Sequence, residues 1–294
     1  MCGAERRGTA APGDMRHAEL RLGNLAIEGR SVAGAETWVR VRPPGLAFDV
    51  GRGAVQLSGV RDIFLSHGHL DHALGLPYVL SQRTLQHRAS TRIFCPAGTA
   101  EPLAALIAAA ERLEGATYRF QIVPLAAGER VDLGRDLQIE TFATDHVVPS
   151  LGYHMVWRKR RLAAAYTALA ATELAELRAS GVDTTESVEE VGLSYCGDTG
   201  PAVFDLSPAI FESRVLMLEC TFLGESHRAK GDRYKHLHLG DIVERADRFH
   251  NAAIVLHHLS RRFRPHDLLA AIEQRIPQLA PRIHLLVEPE EAAA

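Results

Sequence analysis

Within six residues, His67-Gly68-His69-Leu70-Asp71-His72, the chain sets three imidazoles and a carboxylate. Imidazole nitrogen and carboxylate oxygen are the atoms that zinc and similar first-row divalent ions favour. The run Ile63-Phe64-Leu65-Ser66 just before them reads as a buried strand, and alternate residues of an extended chain share a face. His67 and His69 therefore address one ion. Asp71 and His72 fall in the turn that follows and address a second. The bland alternative is a solvated polar loop, which gives no reason for so dense a set of ligand atoms.

Two ions require further ligands, and three later residues each end a strand-like run. These are His146 in Thr144-Asp145-His146, Asp198 in Cys196-Gly197-Asp198-Thr199, and His258 in Leu256-His257-His258-Leu259-Ser260, with His257 as the rival of its neighbour. The 15 histidines cluster in such boxes instead of scattering, as metal or acid–base work would require.

The elements that must carry these boxes follow from apolar runs punctuated by Gly and Pro. Strands are expected at Leu20–Ile27, Glu36–Val41, Leu46–Val50, Ile63–Ser66 and Arg92–Cys95, and a strand-rich stretch over 119–157. Gly192–Cys196, Val215–Cys220, Ala252–His257 and Ile283–Val287 complete the strands. Helices are expected over 72–86, 99–113 with Thr99 as N-cap, 167–180 closed by Gly181, 239–250 and 265–276. Hairpins first and β–α alternation later predict an α/β fold of two mixed sheets sandwiched by outer helices. No sequence repeat or linker divides the chain, so residues 16–290 read as one domain. Residues 1–15, rich in Gly, Ala and Arg, read as a disordered tail, and either Met1 or Met15 could be the start.

Composition narrows the class. With 294 residues, 46% of them hydrophobic, the chain can bury a sizeable core. A net charge of −3 excludes a globally basic nucleic-acid binder, so a polyanion would need a local patch. Cys2, Cys95, Cys196 and Cys220 are widely spaced, which suits buried thiols in a reducing compartment. No segment reads as a signal peptide or membrane span, so the cytoplasm is the expected location and no membrane partner is expected.

The motifs resemble the ribonuclease Z branch of the metallo-β-lactamase superfamily, in its short form, over about Leu20 to Val287. The likeness rests on Leu46-Ala-Phe-Asp-Val-Gly-Arg52, Leu65-Ser-His-Gly-His-Leu-Asp-His-Ala-Leu-Gly-Leu-Pro77 and His146-Val-Val-Pro-Ser-Leu-Gly-Tyr153. It continues in Tyr195-Cys-Gly-Asp-Thr-Gly200, Leu218-Glu-Cys-Thr-Phe222, His236-Leu-His238 and His258-Leu-Ser-Arg-Arg-Phe263. The first histidine box is common to the superfamily; the Ser-x-Gly-Tyr, Glu-x-Thr-Phe and His-x-Ser-x-Arg-aromatic elements are specific to the branch. The resemblance implies an αββα sandwich and two Zn2+ per subunit, other first-row divalent ions being possible. One ion would take His67, His69 and His146, the other Asp71, His72 and His258, with Asp198 bridging.

It implies an endoribonuclease that removes the 3′ trailer from precursor tRNA, with hydroxide at the metals attacking the phosphodiester. Asp71 would orient or deprotonate the attacking water. Glu219 and His236 would form the relay that protonates the leaving 3′ oxygen, His236 being preferred over His238 two residues on. Asp49 would orient metal-site groups instead of binding metal. Ser150, Ser260 and Arg262 would meet substrate phosphate.

Many bacterial relatives carry a Gly/Pro-rich arm between the Gly-Tyr and Gly-Asp-Thr elements; here that interval holds Trp157-Arg-Lys-Arg-Arg-Leu162 and an Ala/Glu-rich segment, like a shorter subgroup with a basic stretch and an amphipathic helix. Arg158, Lys159, Arg160 and Arg161 are then the leading tRNA patch, with Arg83, Arg88 and Arg92 a second, each weighed against an ordinary solvated face. The resemblance also implies a homodimer. Two competing readings keep the site: a phosphodiesterase acting on another diester, and a catalytically inactive, RNA-associated metal binder. A β-lactamase or thiolesterase would leave Glu219 and His236 without a purpose.

Overall fold

The computed structural model describes residues 17–134 and 136–287, so the expected tail over 1–15 lies outside the described residues. The first sheet runs β1 (Ala18–Leu22), β2 (Leu25–Val32), β3 (Glu36–Arg42), β4 (Leu46–Val50), β5 (Asp62–Phe64), β6 (Thr91–Pro96) and β7 (Phe120–Leu125), in that spatial order. The second runs β8 (Arg130–Gly134), β9 (Leu137–Ala143), β10 (Leu151–Leu162), β11 (Thr185–Tyr195), β12 (Val215–Glu219), β13 (Ala253–His257) and β14 (Ile283–Leu285). In each, four strands form an antiparallel meander and the remaining three join in parallel. The two halves thus share a strand order that no sequence repeat announced.

Period-two alternation builds the layers, because neighbouring residues of a strand serve opposite faces. Phe48, Phe64 and Phe94 of the first sheet meet Tyr153, Met155, Tyr195, Met217 and Val255 of the second in the central core. Ile63, Leu65 and Ile93 turn outward under α1 (Leu70–Ala73), α2 (Leu76–Leu85) and α3 (Ala100–Glu114). Α matching outer core holds Leu216, Leu218, Ile254 and Leu256 under α5 (Val203–Leu206), α7 (Leu239–Val243) and α8 (Pro265–Arg275). The remaining helices, α4 (Ala171–Ala179) and α6 (Arg228–Tyr234), bury little: α4 has no buried residue and α6 only Gly231.

Several expected boundaries shift, each for a local reason. The strand expected at Leu20–Ile27 is two strands, because Gly23-Asn24 forms a turn and pairs Leu22 with Leu25. The helix expected over 72–86 is α1 and α2, parted at Gly75, where a Cβ would collide with the Gly53 backbone. Thr99 precedes α3 but does not cap it, since its hydroxyl donates to the Pro96 carbonyl at 2.6 Å. The helix expected over 167–180 shortens to α4, and the expected amphipathic face is missing because α4 packs no residue into a core. The helix expected over 239–250 is α7 followed by a separate 3₁₀ turn at Ala246–Arg248. Strands β10 and β11 run several residues further than expected, pairing Arg158–Leu162 with Thr185–Glu189 beyond the sheet's core. Cys95, Cys196 and Cys220 are buried free thiols, and Cys2 lies outside the described residues. No described helix is long and apolar enough to cross a membrane.

Candidate metal centre and acid pair

The ligand boxes lie just past the C-terminal ends of β5, β9, β11, β12 and β13, on one rim where both sheets meet. Tyr153 and Tyr195 fix that rim across the sandwich. The Tyr153 hydroxyl donates to the Leu65 carbonyl at 2.6 Å, and the Tyr195 hydroxyl to Asp49 Oδ2 at 2.6 Å. Asp49, next to last in β4, has φ +54, a left-handed conformation that costs a non-glycine residue about 1–3 kcal/mol. The surroundings hold it there: fully buried, its carboxylate also accepts from the Ser66 amide and hydroxyl (2.7 Å each) and lies 2.8 Å from His72 Nδ1. Gly197 has φ +61 and packs on Ser66, where a Cβ would stand 2.5 Å from the Ser66 Cβ. Only glycine turns the chain there and lets Asp198 enter the cluster.

Outward hydrogen bonds settle which ring nitrogens face inward. Ser66 spends its proton on Asp49, so at 2.9 Å it accepts from His67 Nδ1. Asp49 accepts from His72 Nδ1, the Lys235 carbonyl from His146 Nδ1 at 3.2 Å, and Thr221 Oγ1 from His258 Nδ1 at 2.9 Å. Each ring is thereby oriented with a bare Nε2 lone pair toward the centre, the arrangement that oxygen acceptors impose on metal-binding histidines. His258 is itself held at φ +54, its amide donating to Ser31 Oγ at 2.8 Å.

The inward atoms match a cation. His67, His72 and His258 Nε2 stand 3.7, 3.3 and 3.2 Å from Asp198 Oδ2, and Asp71 Oδ2 lies 3.6 Å from His258 Nε2. His69 Nδ1 faces His146 Nε2 at 3.3 Å. Ligand atoms about 2.0–2.1 Å from a tetrahedral ion stand about 3.3–3.5 Å apart. His67, His72 and His258 Nε2 and Asp198 Oδ1 are buried with no hydrogen-bond partner, a costly state for polar atoms unless an ion completes them. Donor atoms within metal-binding reach form the groups His67–His69–His146–Asp198 and Asp71–His72–His258, and a third, Asp198–Glu219–His236–His258. Burial holds the His67 imidazole far below its usual pKa, so its lone pair is free. Burial disfavours charge on Asp71, yet the His258 and His72 imidazoles that face it act the other way and hold the carboxyl at about 2.

Beside this cluster stands an acid pair. Glu219, fully buried at the end of β12, accepts from the Thr199 amide (2.7 Å), the Leu237 amide (3.2 Å) and Thr221 Oγ1 (2.5 Å). Its Oε1 lies 2.8 Å from His236 Nδ1. Burial opposes a proton on His236, but the Glu219 charge and hydrogen bond overcome it and raise the ring to about 9. The ring lies nearly parallel to His258, centroids 5.1 Å apart, so a protonated nitrogen stands at the edge of the cluster.

The other expected site residues fall elsewhere or inside supporting bonds. His238, extended and bridged to Phe222, turns its ring back to cap α7, its Nδ1 accepting from the Gly240 amide at 2.9 Å, whereas His236 meets Glu219. His257 stacks on Tyr195 (5.3 Å), outside the cluster, and burial depresses it to about 3. The Ser150 hydroxyl bonds Thr144 Oγ1 at 2.6 Å, and Ser260 is buried beside the Arg262 guanidinium at 3.3 Å. Arg158, Lys159, Arg160 and Arg161 lie along β10. Leu151, at its start, bonds Ser66, and Arg158 is seven residues, about 23 Å of strand, further on. Each is ion-paired across the hairpin: Arg158 with Glu189 (3.7 Å), Lys159 with Glu190, Arg160 with Asp183 and Arg161 with Glu186 (2.8 Å).

The second basic patch does not form. Arg83 is buried and spends its guanidinium on Thr91 Oγ1 and the Ser58 and Ala89 carbonyls, while Arg92 is held by Asp62 at 2.6 Å. Sequence reasoning gave no role to Tyr195, Thr221, Ser66 or Ser31. The first three lie within the motifs quoted above and could have been found as hydroxyls beside a ligand; Ser31 carries no local signal.

Residues 50–259 match the Beta-lactamase superfamily domain. The tRNase Z TRZ1 of Arabidopsis thaliana is 31% identical over 272 residues, 92% of this chain and 97% of that protein. Human tRNase Z, short form, superposes with a TM-score of 0.57 at 19% identity, covering 81% of this chain and 93% of the human one. Zn2+-bound PqqB from Methylobacterium extorquens gives 0.61 at 12% identity over 90% and 98% of the two chains. With the strand-end ligand rim and the Glu219–His236 pair beside it, these similarities show that the chain belongs to the ribonuclease Z (tRNase Z) family of nucleases within the β-lactamase superfamily.

Proposed function

We propose that the chain is an endoribonuclease that removes the 3′ trailer from precursor tRNA, using two zinc ions per subunit. The observation that carries this is the Glu219–His236 pair, a proton donor fixed at the edge of a seven-residue ligand cluster. His67, His69 and His146 would hold one ion and Asp71, His72 and His258 the other, with Asp198 between them. Zinc bound there supplies Lewis-acid activation of water and neutralises phosphate charge. Asp71, partly exposed, orients and accepts a proton from the attacking water. His236 delivers its proton to the leaving 3′ oxygen, and Glu219 holds the ring's orientation and charge. Arg262 and the Ser150 and Ser260 hydroxyls would, in this reading, exchange their present bonds to Ser260, Thr144 and Arg262 for phosphate oxygens.

Residues 16–290 act as one domain in this reading, which the shared core between the sheets supports. A homodimer in the cytoplasm is proposed as its working form. Exposed apolar side chains along α1, its C-cap and α2 support the dimer: Leu70, Leu74 and Tyr78 are 65%, 46% and 49% exposed.

The test is incubation with precursor tRNA, with and without chelator, beside Asp71→Ala and His236→Ala. Loss of a general acid lowers kcat by about 10²–10⁴. Unchanged cleavage by Asp71→Ala would overturn the mechanism. Hydrolysis of a cyclic nucleotide with none of precursor tRNA would favour the phosphodiesterase reading, and metal binding with neither activity would favour the inactive binder.

A further inference from the structure

The expected RNA patch on β10 is internally neutralised, but a second basic surface stands beside His236. Helix α6 and the residue after it carry Arg228, Lys230, Arg233 and Lys235 against one acid, Asp232. The turn after Ser260 carries Arg261, Arg262 and Arg264 with no acid among them. The two segments adjoin, because His227, leading into α6, packs edge-on against Phe263 at 5.5 Å and face-on against Phe222 at 5.9 Å. Both reach the centre: the Lys235 carbonyl bonds His146, the His236 amide bonds the Gly231 carbonyl, and the turn follows His258 directly.

Their charges are not alike in availability. Arg228 is committed to Glu244 (2.7 Å) and Asp241 (3.3 Å), and Lys235 to Asp145 (3.3 Å). Lys230, Arg233, Arg261, Arg262 and Arg264 are exposed, and no carboxylate among the described residues pairs with them. Arg233 lies over the ring of Tyr234, 5.4 Å from its centroid, and that ring is 49% exposed. Unpaired guanidinium and ammonium groups beside an exposed aromatic ring suit a nucleic-acid backbone with a stacked base.

We infer that α6 and the 261–264 turn form the track for the RNA backbone on the 5′ side of the cut. This inference rests on the proposed reaction, in which the leaving 3′ oxygen stays with the tRNA body. The atom that protonates it, on His236, lies next to Lys235 and α6, so the strand ending in that oxygen runs over this surface. Lys230, Arg233, Arg261 and Arg264 contact its phosphates and Tyr234 stacks a terminal base. The trailer leaves on the opposite side of the metals.

The test measures binding of two RNAs by the full-length, zinc-loaded protein over a range of salt: a tRNA lacking any trailer, and a trailer oligonucleotide with a 5′ phosphate. Lys230→Ala/Arg233→Ala and Arg261→Ala/Arg264→Ala are each expected to weaken the trailer-free tRNA about tenfold and to lower the salt slope by about 1.5, as loss of two phosphate contacts predicts. The trailer oligonucleotide should bind as before, and Arg233→Lys, Arg261→Lys and Arg264→Lys should each keep most of the affinity, a phosphate contact needing chiefly the charge. Thermal unfolding checks that each variant is folded.

Wild-type affinity and slope in both variants, with the loss appearing instead in Arg158→Ala/Arg160→Ala, would overturn the track. Equal loss on both RNAs would overturn its direction. A wild-type protein that binds the trailer-free tRNA through these residues yet leaves precursor tRNA uncut would sink the proposed reaction while the track stands.

Discussion

Asp49 shows how much of the site is built by residues that touch neither metal nor substrate. Its carboxylate gathers the Ser66 amide and hydroxyl, His72 and Tyr195, and so sets the direction of two rings in the first box. The oriented imidazoles are inseparable from it, since partners of this kind typically change metal affinity 10–100-fold. Not every buried histidine serves the centre. His154 on β10 stacks on Phe142 at 4.3 Å and bonds Ser194 Oγ at 2.8 Å, and burial holds it down to about 4. Its folded pKa is below the unfolded value of about 6.5, so the unfolded chain takes up a proton first as pH falls. Stability from this group is full above pH 6.5 and is lost progressively toward pH 4, by about 3 kcal/mol in all. Urea midpoints of His154→Gln should therefore fall less between pH 6.5 and 4 than those of the parent; parallel curves would refute this.

At the level of elements, the site depends on where strands stop and how sharply the chain then turns. Gly197 is the tightest such point. Gly197→Ala forces a Cβ against Ser66 at φ +61 and should destabilise the fold by about 2 kcal/mol or more, read as a lowered Tm, with a larger loss of metal affinity because Asp198 is displaced. A variant with unchanged Tm and metal content would contradict this account. The strand ends were legible in the sequence because ligand boxes directly follow apolar runs, as at Ile63–Ser66 and Leu256–His258. What could not be read was anything set by a distant partner. The acids that cancel Arg158–Arg161 sit 23 to 31 residues downstream, on β11 and at Asp183 just before it, and the burial of Arg83 depends on the Ser58 and Ala89 carbonyls. The split of the first helix at Gly75 likewise depends on the approach of Gly53. Charge runs look alike in a sequence whether they face solvent, a carboxylate or a phosphate.

Across the whole molecule, the two sheets supply different parts of one centre. The first half brings His67, His69, Asp71 and His72; the second brings His146, Asp198 and His258, with Glu219 and His236 beside them. An ion bound by both halves stabilises only the assembled sandwich, so occupancy adds to global stability by mass action. Chelation should lower Tm by several degrees, as a loss of about 2–3 kcal/mol would in a chain of this size. Equal Tm with and without metal would show that the halves hold together by the core alone.

The position of His258 in the chain has a consequence for biosynthesis. It follows β13, nearly the last strand, and its backbone is locked to Ser31 near the beginning. On a chain emerging from the ribosome, His67, His69 and His146 can come together once β9 has been made, whereas Asp71 and His72 meet His258 only after β13. Closure of the cluster therefore waits on the second sheet, and a fragment released before β13 would lack His258 and its bond to Ser31.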